Sequence, residues 1–76
     1  MLTLKETRDL VEASQQKLAD AAELNVNVIA DIEQGRNKRP AHEVVVKIVR
    51  GLRKLGVPGA HSDLIEEFHV PADEVA

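Results

Sequence analysis

The chain has 76 residues, carries a net charge of −3 at neutral pH, contains no cysteine and has Phe68 as its only aromatic residue. That length allows one domain with a modest, aliphatic core, and the composition excludes disulfides and thiolate metal sites. No apolar run approaches the ~20 residues that span a bilayer and no signal peptide is visible, so the expectation is a cytoplasmic protein without membrane contact.

In chain order, Thr3 and Glu6 have the T-x-x-E spacing of a capping box and predict a first helix over Leu4–Glu12, with Leu10 and Val11 facing inward. Ser14 is a natural N-cap for a second helix, Gln15–Glu23, in which Leu18, Ala19 and Ala22 share one face. Only Glu23, Leu24 and Asn25 separate it from a third helix, which Asn25 caps and which buries Ile29 and Ile32. Gly35 then serves as a left-handed residue just past the helix end.

A fourth helix is predicted from Pro40 or Ala41 to Leu55, with Pro40 in its first turn. Taken alone, its EVVVKIV run favours β structure, but Val45, Ile48, Val49, Leu52 and Leu55 form a long helical stripe and decide for helix. Gly56, Pro58 and Gly59 break the chain, and Ser62 caps a short fifth helix, Asp63–Phe68, that Pro71 stops. The expected fold class is all-α, a compact bundle of five helices, four in a domain over residues 1–57 and the short fifth in an acidic extension, residues 58–76. That extension is expected to pack on the core or to form a dimer contact through Leu64, Ile65 and Phe68.

Ser14 to Pro40, SQQKLADAAELNVNVIADIEQGRNKRP, has the outline of a helix-turn-helix: two short helices, a tight turn, a glycine stop and a basic loop. With Leu18, Ala19, Ala22, Leu24, Ile29 and Ile32 at its apolar positions and IEQGRNKRP at its end, the stretch resembles the Cro/C1-type (XRE-like) helix-turn-helix family. This is the fold of lambdoid phage repressors and many small bacterial regulators, and the resemblance covers roughly residues 3–57. It implies a lambda repressor-like DNA-binding domain. Glu23 stands where the family usually has glycine for a residue of positive φ, at a cost of up to about 1 kcal/mol. The resemblance also implies a structural salt bridge between Arg8 and Glu33 that fixes the angle between helices.

On this fold the third helix enters the major groove, and base reading falls to Val26, Asn27, Val28 and Asp31. Asparagine bonds adenine at N6 and N7, valine touches a thymine methyl, and aspartate accepts from cytosine N4 or pairs with a neighbouring cation. Gln15, Gln16, Asn25, Arg36, Asn37, Lys38 and Arg39 are the expected phosphate contacts, giving affinity and salt dependence but little sequence discrimination. The charge distribution agrees: between Gln34 and Gly56, Arg36, Lys38, Arg39, Lys47, Arg50, Arg53 and Lys54 face Glu43 alone, while the chain from Val57 onward carries acids and no Lys or Arg. The third helix itself has no Lys or Arg, which implies weak monomer binding and a homodimer on a paired site.

Two other readings fit the same residues. One is a protein-binding module on this fold, such as an antitoxin or co-regulator, whose partner meets the neutral third helix. The other is the DNA-binding part of a longer repressor. Catalysis has little support: His42, His61 and His69 are scattered, and neither a glycine-rich phosphate loop nor a nucleophile–base pair stands out. No cofactor or metal is expected.

Overall fold

The computed structural model describes residues 2–57, 59–60 and 64–68. Among them are four α-helices: α1 (Leu4–Asp9), α2 (Gln15–Ala22), α3 (Val26–Glu33) and α4 (His42–Lys54). A 3-10 turn, Glu66–Phe68, follows, and the only strand-like pairing among the described residues is an isolated parallel bridge between Leu2 and Ile65.

Local chemistry sets most helix ends. Thr3 Oγ1 accepts from the Glu6 amide while Glu6 Oε1 accepts from the Thr3 amide, a reciprocal capping box that starts α1. Ser14 Oγ accepts from the Lys17 amide and starts α2; Asn25 Oδ1 accepts from the Asn27 amide and starts α3. Glu23 closes α2 at φ 58°, ψ 43°, the left-handed conformation in which its amide reaches the carbonyls of Ala19 and Asp20. Gly35, at φ 79°, gives the chain past α3 the same turn without a side-chain penalty.

The core is aliphatic and draws on every helix: Leu4 from α1, Leu18 and Ala19 from α2, Ile29 and Ile32 from α3, and Ile48 and Leu52 from α4. Gly51 of α4 is buried where that helix crosses α2, and a β-carbon built there would meet the backbone nitrogen of Ala22 at 3.0 Å. Close approach of the two backbones therefore favours glycine at this position.

Four expectations are corrected. First, α1 ends at Asp9 rather than Glu12, because the Arg8 carbonyl accepts from the amides of both Val11 and Ala13 and Glu12 takes φ 54°. Leu10 consequently lies 64% exposed instead of facing inward, while Val11 packs partly against the core. Second, Pro40 lies outside α4, whose cap is Ala41 and whose first residue is His42. Third, α2 ends at Ala22 rather than Glu23, which takes the left-handed cap position that the resemblance implies.

The fourth correction concerns the C-terminal segment, where the described residues contain the 3-10 turn in place of a fifth α-helix. Leu2 donates to the Leu64 carbonyl and the Glu66 amide donates to the Leu2 carbonyl, so pairing with the N-terminus replaces helical bonding there. Glu67 Oε1 then accepts from the Leu4 amide at 2.9 Å, adding a cap to α1 from across the molecule. Val57, Ala60 and Ile65 are buried in the main core, so the described part of the extension folds back on it. Ser62, Asp63 and Pro71 lie outside the described residues.

Candidate nucleic-acid interface

The framework beneath α3 is polar and closely satisfied. Arg8 Nε donates to Glu33 Oε2 at 2.6 Å and its NH2 group to Oε1 at 2.8 Å, a two-point contact between side chains only 9% and 7% exposed. The third guanidinium nitrogen donates to the Ala13 carbonyl at 2.7 Å, and Gln15 Nε2 donates to Glu33 Oε1 at 3.0 Å. Burial pushes the Glu33 carboxyl up, but hydrogen bonds from Arg8 and Gln15, with the charges of Arg8 and Lys5, outweigh it and hold the group below its ordinary value. The hydrogen bond to Glu33 in turn raises Arg8. This network ties α1, the α1–α2 turn and the start of α2 to the last residue of α3.

Gln15, expected as a phosphate contact, donates from its carboxamide nitrogen to Glu33. Gln16 is exposed and donates to Asp20 one turn on, a surface contact that a ligand can exchange at little cost. Asn25 is exposed with its carbonyl oxygen occupied as the α3 cap.

Of the four residues expected to read bases, only Asn27 is fully exposed. Val26 and Val28 are half-buried and pack against the core, which corrects their assignment to the outward face. Asp31 pairs with Arg36 at 3.0 Å, both side chains being about half exposed or more (47% and 63%). Its carbonyl also accepts from the amides of Arg36 and Asn37, so the basic loop is folded against the end of α3. The outward stripe of α3 is Asn27, Ala30, Asp31 and, just past its end, Gln34, with Asn27 and Gln34 exposed. Ala30 and Gln34 were missed by the sequence reading, although i, i+3, i+4, i+7 spacing from Asn27 reaches both.

Arg36, Asn37, Lys38 and Arg39 are all exposed, and Asn37 Oδ1 accepts from the Arg39 amide to shape the loop. No side chain caps α4, which begins directly after this loop. Lys47, Arg50 and Lys54 continue the positive charge along one exposed stripe of α4, with Lys54 Nζ reaching the Ala21 carbonyl at 3.4 Å. His42 is exposed, whereas His61 and His69 lie outside the described residues.

The expected dimer contact is also redrawn. Ile65 is 2% exposed and Phe68 packs partly against the core, leaving only Leu64, at 60%, as an accessible apolar residue of the three. Leu2, Leu10 and Leu64 are the large hydrophobic residues left exposed among the described ones, and all three line one cleft of about 110 Å³. Among the described residues no helix is long and apolar enough to cross a membrane.

Comparison with family models, curated proteins and solved structures finds no match to this chain.

Proposed function

We propose that α2 and α3 form a helix-turn-helix and that the protein is a sequence-specific double-stranded DNA-binding regulator of the Cro/C1 type, repressor-like, with α3 in the major groove. The observation that carries this reading is the outward stripe of α3, Asn27 and Gln34 with Ala30 and Asp31 between them, continuing directly into the exposed loop Arg36–Arg39. Asparagine and glutamine are the side chains suited to two-point hydrogen bonding with adenine, and alanine suits a thymine methyl. The loop cations and the uncapped start of α4 supply phosphate contacts beside that stripe. Arg36 is held by Asp31 in an exposed pair worth about 0–1 kcal/mol, a barrier low enough for transfer to a phosphate. Arg8, Glu33 and Gln15 act as positioning residues that fix α3 against α1 and α2.

Because the outward stripe of α3 bears no Lys or Arg, one copy binds weakly and two copies on a paired site supply the affinity. A protein-binding module is the second reading, favoured by the cleft that gathers Leu2, Leu10 and Leu64. Selection from a duplex library at several salt concentrations separates the two. DNA reading predicts salt-sensitive, sequence-selective binding that the combined substitutions Arg36→Ala, Lys38→Ala and Arg39→Ala abolish. Failure of the folded wild-type protein to bind at low salt would reject it.

A further inference from the structure

The outward stripe of α3 has no Lys or Arg of its own, yet one cation is held against it. Gly35, at φ 79°, turns the chain so that the amides of Arg36 and Asn37 donate to the Asp31 carbonyl at 2.9 and 3.1 Å. Those bonds fix the Arg36 backbone over the last turn of α3. Its side chain runs back to Asp31, with Nε 3.0 Å from Oδ1. Asp31 lies four residues after Asn27 and three before Gln34, on the same stripe. A guanidinium whose side chain is 63% exposed therefore stands beside the residues assigned to base reading.

We propose that Arg36 reads a guanine in the major groove and that Asp31 is its positioning residue, an inference that rests on the DNA reading proposed above. A carboxylate at Nε meets the side of the planar guanidinium and leaves the Nη1–Nη2 edge to present two parallel N–H groups. Guanine offers O6 and N7 as a matching pair of acceptors, and no other base shows two acceptors on its major-groove edge. Phosphate is the competing partner, since an exposed pair is weak enough for Arg36 to leave. Leaving strands the Asp31 carboxylate against a polyanion, whereas a guanine contact keeps the pair intact. Arg36 thus holds phosphate on arbitrary sequence and guanine at the selected site. The pair also accounts for an acid on the face that enters the groove, because Arg36 neutralises it there.

The test compares wild type, Arg36→Ala and Asp31→Ala, each checked for folding by circular dichroism, on the duplex that wild type selects. Every base pair of that duplex is permuted and the salt dependence recorded. The selected site is expected to contain a guanine whose replacement weakens wild type about 5–150-fold. 7-Deazaguanine at that position, which lacks the N7 acceptor, should weaken wild type and leave Arg36→Ala unaffected. Arg36→Ala should lose discrimination at that base pair alone and keep the salt slope on the selected site. Asp31→Ala should lose discrimination at the same base pair while its affinity for unrelated duplex holds or rises. A loss in Arg36→Ala that is equal for every sequence, with a salt slope lower by about 1, would make Arg36 a phosphate contact and overturn the inference. Discrimination lost in Asp31→Ala alone would assign the base contact to Asp31 and overturn it as well. Discrimination lost in Arg36→Ala alone would keep the guanine contact and overturn the positioning role of Asp31. No duplex binding by folded wild type is a distinct result, which would reject the DNA reading and the inference with it.

Discussion

Replacing Arg8 by methionine strips the Glu33 carboxylate of two hydrogen bonds and removes the donor to the Ala13 carbonyl. With the Glu33 side chain only 7% exposed, the stranded charge belongs in the range of a broken buried pair, about 3–5 kcal/mol. Gln15 still donates to it, which places the loss near the lower end, about 3 kcal/mol. Glu33→Gln strands the cation instead, and Arg8 keeps the Ala13 carbonyl, so about 2 kcal/mol is expected. Replacing both residues by apolar ones, Arg8→Met with Glu33→Leu, leaves no unpaired charge and is expected to cost less than the two single changes together. For a domain of this size, with about 4–11 kcal/mol of total stability, these are large fractions that urea denaturation followed by circular dichroism resolves. Single losses below about 1 kcal/mol that add without coupling would refute the reasoning, because that is the behaviour of an exposed pair.

The same network carries a pH dependence. Glu33 is held below its ordinary value in the folded protein, so its contribution is complete above the unfolded carboxylate value of about 4.3 and is lost as pH falls through the folded value. Acid unfolding measured across that window should be flatter for Glu33→Gln than for wild type. Glu23→Gly relieves a left-handed glutamate and is expected to stabilise by roughly 0.5–1 kcal/mol, read as a rise in melting temperature. Gly51→Ala gains about 1 kcal/mol of helix propensity but drives a β-carbon to 3.0 Å from the Ala22 backbone, an overpacking cost of about 1–3 kcal/mol. A net loss of about 1 kcal/mol is expected in thermal unfolding, and an unchanged or raised melting temperature would mean that α2 and α4 separate freely.

Features written in short-range chemistry were legible in the sequence. The caps at Thr3, Ser14 and Asn25, the glycine past α3 and the buried faces of α2 and α3 follow from side chains acting within one or two turns. The left-handed Glu23 was reached through the family resemblance, as was the Arg8–Glu33 pair, which nothing local in the sequence joins. Features set by distant partners were hidden. Arg8 holds Ala13 through its carbonyl as well as its guanidinium, and where that loop closes, α1 ends early and Leu10 is left outside. The C-terminal segment reads as a helix from its spacing, yet its backbone pairs with Leu2 and its Glu67 caps Leu4. Within the candidate interface the loop cations were plain from composition. Val26 and Val28 were misassigned because three consecutive residues of a helix cannot all face outward, and the same periodicity, followed one turn further, leads to Ala30 and Gln34.

The central claim is that the outward stripe of α3 distinguishes bases. The direct measurement is the sequence selectivity of Asn27→Ala and Gln34→Ala on the duplex selected by the wild-type protein, with the salt dependence recorded alongside. Each exposed amide that forms a two-point contact with adenine should, when removed, relax selectivity at one or two base pairs by about 1–3 kcal/mol and leave the salt slope unchanged. Selectivity that survives both substitutions, or affinity that falls equally for every sequence, would contradict the account.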